Sequence, residues 1–150
     1  MSNRATFGKR LLAIFYDSLI IFFLTIVVTL IIQQLVIQLG LVSLEDVKIS
    51  ATETIQVIPT DSIANSVLKS FWLITSFAYF YYYWTSRGQT LGMKVWKIKL
   101  ESTSSTPITD SQVLKRYIFA FLGLGLLLMI FDRDKLALQD KMSQTIVIKK

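Results

Sequence analysis

Apolar residues gather in three long stretches, and the positions between them carry most of the charge. The first, residues 11–39, is interrupted by one charge, Asp17, and a few Ser, Thr and Gln. As a helix it reaches roughly 43 Å against a hydrocarbon core of about 30 Å, so it predicts a transmembrane span. The second, residues 67–84, has Lys69 near its start and reaches about 27 Å. Its Trp72, Trp84, Tyr81, Tyr82 and Tyr83 suit an interfacial aromatic belt, and it too predicts a span. The third, residues 117–131, reaches only about 23 Å and holds Gly123 and Gly125, which permit a bend or a close helix approach. It predicts a short third apolar helix or a re-entrant hairpin. Arg4, Lys9 and Arg10 resemble the start of a cleaved leader, but the following run is too long and lacks a small-x-small site.

Two short runs have the period of strands. In residues 95–100, Trp96, Ile98 and Leu100 alternate with Lys97 and Lys99, and a polar turn from Ser102 through Thr106 to Pro107 follows. Residues 145–149 are also β-prone, and the two runs are expected to pair as a small ribbon. Residues 43–66 lack a sustained apolar stripe, although Ile55 and Val57 suit a short strand. The predicted fold is a mainly α membrane protein in one domain, residues 1–150. It has two full transmembrane helices (about 11–39 and 67–84), the short third segment 117–131 and a two-stranded cytoplasmic β-ribbon.

Basic residues set the orientation. Arg4, Lys9 and Arg10 precede the first span without an acid, and residues 85–116 carry Arg87, Lys94, Lys97, Lys99, Lys115 and Arg116. Residues 40–66 have Lys48 against Glu45, Asp46, Glu53 and Asp61. The N-terminus, the 85–116 loop and the tail 132–150 are therefore expected in the cytoplasm, and the 40–66 loop outside. If the ribbon forms, the third segment enters and leaves by one face, which favours a re-entrant hairpin over a third crossing. The net charge of +6 then belongs to basic residues beside an anionic leaflet, with no nucleic acid required.

Composition agrees. The chain is 53% hydrophobic and 17% charged, with a mean hydropathy of +0.53. With no Cys and no His, thiol nucleophiles, disulfides, Cys/His zinc sites and Ser-His-Asp triads are excluded. The only close acidic pair, Asp132 and Asp134, reads as helix-cap and interfacial charge. The glycines of residues 87–94 lack the spacing of a phosphate loop. No enzyme, cofactor or metal site is expected.

The polar residues inside the spans lie on one side of each helix. Arg10, Asp17, Ser18, Thr25, Thr29 and Gln33 fall within an arc of about 160°. Thr75, Ser76, Tyr79, Tyr82 and Tyr83 make a similar stripe on the second helix. Two such faces should meet each other or a partner. Asp17 is the costly residue, since a centrally placed membrane charge costs about 2.5–3.5 kcal/mol. Arg10 lies on its face about 10.5 Å away and is expected to snorkel to the headgroups, which leaves Arg116 as the expected ion-pair partner. Asp17 is either a proton or cation relay or half of a buried ion pair fixing helix register.

Phe7-Gly8-Lys9-Arg10-Leu11-Leu12-Ala13, followed by Asp17, resembles the opening of the RDD family of bacterial membrane proteins. The glycine-containing stretch after the second helix, Gly88-Gln89-Thr90-Leu91-Gly92-Met93-Lys94-Val95, is similar to that family's. So is the run Gln139-Asp140-Lys141-Met142-Ser143-Gln144-Thr145-Ile146-Val147. The resemblance covers residues 4–148 and singles out Arg10, Asp17 and Asp140. Gln139 stands where the family often has histidine, and Ser143-Gln144 replace its usual small residues. The resemblance implies two or more transmembrane helices, a bacterial inner-membrane location and a transport role without a defined substrate. Two or three helices cannot enclose a path alone, so a transporter component would act as a homo-oligomer. The alternative is a non-enzymatic accessory or regulatory subunit bound to another membrane protein.

Overall fold

A computed structural model describes residues 4–48, 50, 54–104, 107–121, 125–126, 128–132 and 136–150. Two helices dominate it. Helix α1 is Phe7–Gln38 and helix α2 is Ile63–Ser86. Strands β1 (Glu45–Lys48) and β2 (Thr54–Val57) lie between them. After α2 come α3 (Leu91–Val95), β3 (Ile98–Ser102), α4 (Asp110–Phe121), α5 (Leu128–Phe131), α6 (Leu138–Ser143) and β4 (Thr145–Lys149). The architecture is mostly helical, with two small antiparallel sheets, β1–β2 and β3–β4.

Among the described residues, α1 is the one helix both long and apolar enough to cross a membrane. It runs for roughly 48 Å, and its flank is lined by exposed Phe23, Leu30 and Ile31, each about 60% accessible. Water would penalise such a continuous apolar flank; lipid would not. Helix α2 matches the expected second span in place and has the length, roughly 36 Å, but its serines, threonines and tyrosines make it less apolar than α1.

The chain forms two compact units. One comprises Met1–Ile21 and Phe77–Lys150; the other comprises Phe22–Ser76. In the second unit β1 and β2 pair with Glu45 opposite Val57 and Lys48 opposite Thr54. An apolar groove of about 390 Å³ is lined there by Phe22, Thr25, Ile26, Thr29, Leu30 and Trp72.

The first unit holds the better-packed core: Ala5, Ala13, Trp84, Met93, Ile98, Leu100, Val113 and Val147. The expected ribbon forms, with Ile98 opposite Lys149 and Ser102 opposite Thr145. Its alternation buries Ile98, Leu100, Thr145 and Val147. The N-terminal segment joins the free edge of β4 through an Arg4–Ile148 bridge and an Ala5 N–H to Val147 carbonyl bond of 2.9 Å.

One boundary differs from expectation. Val95 and Trp96 are not strand residues. Thr90 caps a helical turn by accepting from the Met93 N–H at 3.1 Å, and Lys97, at φ 51°, turns the chain before β3 begins. Of the two forms expected for the third apolar stretch, a single short helix is not seen in its described residues. It is divided among the end of α4, a turn at Gly125 and Leu126, and the single turn of α5. Gly125 accepts the Leu138 N–H at 3.0 Å, and a Cβ there would strike the Gln139 side chain, so glycine permits the close approach. Gly123 and Asp134 lie outside the described residues.

Candidate functional site

Two buried carboxylates organise the first unit, and their surroundings are chemically opposite. Asp140, 1% exposed, stands in the first turn of α6 and accepts the Ala137 N–H at 3.3 Å. Helix α4 packs along α6, which brings Arg116 to Oδ1 of Asp140 at 2.6 Å. Arg10, from the first turns of α1, reaches Oδ2. Arg116 also donates to Thr145 Oγ1 at 2.8 Å, and its guanidinium lies 5.3 Å from the centre of the Trp84 ring. That cation–π contact, with the two ion pairs, replaces part of the lost hydration. Burial alone would raise the Asp140 carboxyl, but the charges of Arg116 and Arg10 outweigh it and hold the group below the usual carboxylate range.

Arg116 therefore does not pair with Asp17 as the charge pattern suggested; it is committed to Asp140. Arg10 is not a snorkelling residue either, being 4% exposed on the same carboxylate. The physical reason is that Asp17 can be satisfied without a cation. Its Oδ1 accepts from the Tyr79 hydroxyl at 2.7 Å and the Gly92 N–H at 2.8 Å, and its Oδ2 accepts from the Thr90 hydroxyl at 2.5 Å. Asp17 is 3% exposed. Tyr79 in turn accepts the Leu91 N–H at 3.3 Å, so α1, α2 and α3 are tied together through one carboxylate.

These partners differ in what they tolerate. Guanidinium groups only donate, so a protonated Asp140 would lose bonds. Hydroxyls both donate and accept, so Tyr79 and Thr90 can turn to serve a protonated Asp17 or share it with a cation. Asp140 is built to stay charged. Asp17 is built to tolerate a change.

The remaining members of the expected polar faces divide. Thr75 and Ser76 are buried, and Tyr79 is drawn out of an interfacial role onto Asp17. Tyr83 stays half-buried with its ring 4.8 Å from that of Tyr79. Ser18 is exposed and bonds back to the Ile14 carbonyl of its own helix at 2.8 Å. Thr25, Thr29 and Gln33 are half-buried, and the Thr25 hydroxyl has no partner among the described residues. Asp132 does act as an end charge, accepting from Leu136 N–H and Lys141 Nζ.

Thr90 and Gly92 received no role from the sequence beyond their place in a glycine-containing stretch. A Cβ on Gly92 would collide with the Ala13 carbonyl and lie 2.9 Å from Asp17 Cγ. The sequence offers only a local signal, a cap-type threonine two residues before a glycine, which does not reveal the distant carboxylate.

No curated protein and no solved structure matches the chain. The RDD family model matches residues 4–144, a span that contains Arg10, Asp17 and Asp140, and the chain belongs to the RDD family.

Proposed function

We propose that this protein is a non-enzymatic component of an ion or solute transport system in a bacterial inner membrane, with Asp17 as the coupling carboxylate. One observation carries the reading: Asp17 is a buried carboxylate on the long apolar helix whose partners are all neutral donors. Intramembrane carboxylates commonly mark ion or proton pathways. The cation that would have frozen it as a structural ion pair, Arg116, is engaged elsewhere. In this reading α1 and α2 both cross the bilayer. The N-terminal segment and β4, hydrogen-bonded to each other, share the cytoplasmic side. A pathway needs more helices than one chain offers, so the working form is a homo-oligomer.

The test is flux in proteoliposomes loaded with a pH-sensitive dye, under an imposed sodium or potassium gradient. Flux that disappears with Asp17→Asn in folded protein supports the assignment. Equal flux from both proteins removes it.

A second reading, an accessory subunit for another membrane protein, is favoured by the apolar groove of the second unit, which a partner helix could fill. Crosslinking in native membranes that recovers only self-oligomers would reject it.

A further inference from the structure

Four lysines converge where the β3–β4 ribbon ends. The Lys97 N–H bonds the Lys94 carbonyl at 3.2 Å, the Lys150 N–H bonds the Lys97 carbonyl at 2.9 Å, and Lys149 pairs with Ile98. All four side chains are exposed. Among the described residues the surface acids of the same unit are engaged elsewhere: Glu101 with Lys99, Asp110 with Tyr81, and Asp132 with Lys141. The patch is therefore a local excess of positive charge.

Its depth is set by a second, independent contact. Helix α3, which carries Lys94, is docked on α1 through Gly92, at the level of Ala13 and Asp17. The Trp96 ring meets the Tyr16 ring edge-on at 6.3 Å. On that part of α1, Leu12, Phe15 and Tyr16 are exposed, and Val95 beside Lys94 is 56% exposed. An exposed valine and an aromatic pair next to a lysine cluster suit the passage from acyl chains to phosphates.

We infer that Lys94, Lys97, Lys149 and Lys150, with Val95 and Trp96, form an interfacial site for the phosphate headgroup of an anionic lipid. The end of the ribbon and the turn from α3 into β3 place the lysine ammoniums beside the phosphate, and Val95 and Trp96 lie among the upper acyl carbons. The inference rests on residence of α1 in the membrane and not on transport, so loss of flux and loss of lipid preference fail separately.

The full chain is reconstituted into nanodiscs of equimolar phosphatidylglycerol and phosphatidylcholine, and the lipids retained after mild extraction are counted by native mass spectrometry. The wild-type chain should retain phosphatidylglycerol over phosphatidylcholine by about fivefold or more, a preference weakened by salt. Replacing all four lysines by glutamine should bring the ratio near one, while Lys69→Gln on α2 leaves it unchanged. Circular dichroism confirms that each variant is folded, and Lys94→Gln with Lys97→Gln alone serves if the fourfold variant is not. The site is overturned by an unchanged ratio in the folded lysine variant, or by an equal loss in Lys69→Gln. Binding of an acidic peptide that depends on the four lysines, with no lipid preference, overturns it as well.

Discussion

Arg10 and Asp140 lie 130 residues apart in the chain and form a buried ion pair that joins the first turns of α1 to α6. Arg116 completes it from α4, so one carboxylate fastens three helices. Two guanidiniums facing one carboxylate leave a surplus positive charge. Asp17, two helical turns along α1, supplies a second buried negative charge in the same unit. The four side chains balance in sum but not in role: three are locked as ions, and the fourth rests among neutral donors, two of which, the Tyr79 and Thr90 hydroxyls, can reverse their hydrogen bonds.

Removing the shared carboxylate should be severe. Asp140→Asn leaves Arg10 and Arg116 buried without a counter-charge, and breaking such a pair costs about 3–5 kcal/mol. The expected outcome is a sharp loss of folded yield in detergent and a large fall in Tm. A thermal melt within a degree or two of wild type would mean that the guanidiniums find water or headgroups instead.

Acid should expose the same bond. The folded Asp140 carboxyl lies below its ordinary value of 3.8, so the native state binds fewer protons than the unfolded one near that pH. Its contribution is fully present above the unfolded value and is lost as pH falls through the lower, folded one. Stability measured from about pH 7 to about pH 2 should therefore hold to about pH 4 and then decline. The exposed Asp132, held low by Lys141 and the Leu136 N–H, titrates in the same window. The difference between wild type and Asp140→Asn isolates the buried pair, and parallel acid profiles for the two would contradict the assignment.

Much of the fold was legible because its causes are local. An apolar run longer than a bilayer made α1 plain, and alternation in residues 95–100 with the β-prone run 145–149 pointed to the ribbon. The break in the third stretch was visible at Gly125. What was not legible depends on distance along the chain. No local rule links Arg10 to a residue 130 positions away, and charge matching alone sent Arg116 to the wrong aspartate. The start of β3 slipped because the Thr90 cap draws Val95 into a helical turn against the strand period. Asp17 was legible as a problem but not in its solution, since a backbone N–H and two hydroxyls carry no charge signal.

Thr90 should prove as important as the charged residues. Its hydroxyl donates to Asp17 and accepts the Met93 N–H that opens α3. Thr90→Val keeps the volume and removes both bonds, so a loss of about 1–2 kcal/mol is expected from the cap alone. Thr90→Ser should restore most of it. Unfolding by titration into denaturing detergent, comparing wild type with the two variants, separates hydroxyl from methyl; equal losses would show that packing alone matters.

Gly92 gives the sharpest steric test, because another glycine on the partner helix supplies its control. A methyl at Gly92 meets the Ala13 carbonyl and the Asp17 carboxyl, so α3 must move off α1 and the Gly92 N–H must leave Asp17. Overpacking of this kind costs about 1–3 kcal/mol. Gly8, in the first turn of α1, has nothing within 4 Å of a built Cβ. Gly8→Ala should be neutral or stabilising by up to about 1 kcal/mol, since it only reduces the freedom of the unfolded chain. Trp96 offers a local readout beside the global one, because its ring rests against Tyr16 only while α3 is docked. Gly92→Ala should shift Trp emission and lower Tm together, and Gly8→Ala should do neither. If both variants melt like wild type with unchanged emission, the close docking of α3 on α1 is not what holds Asp17.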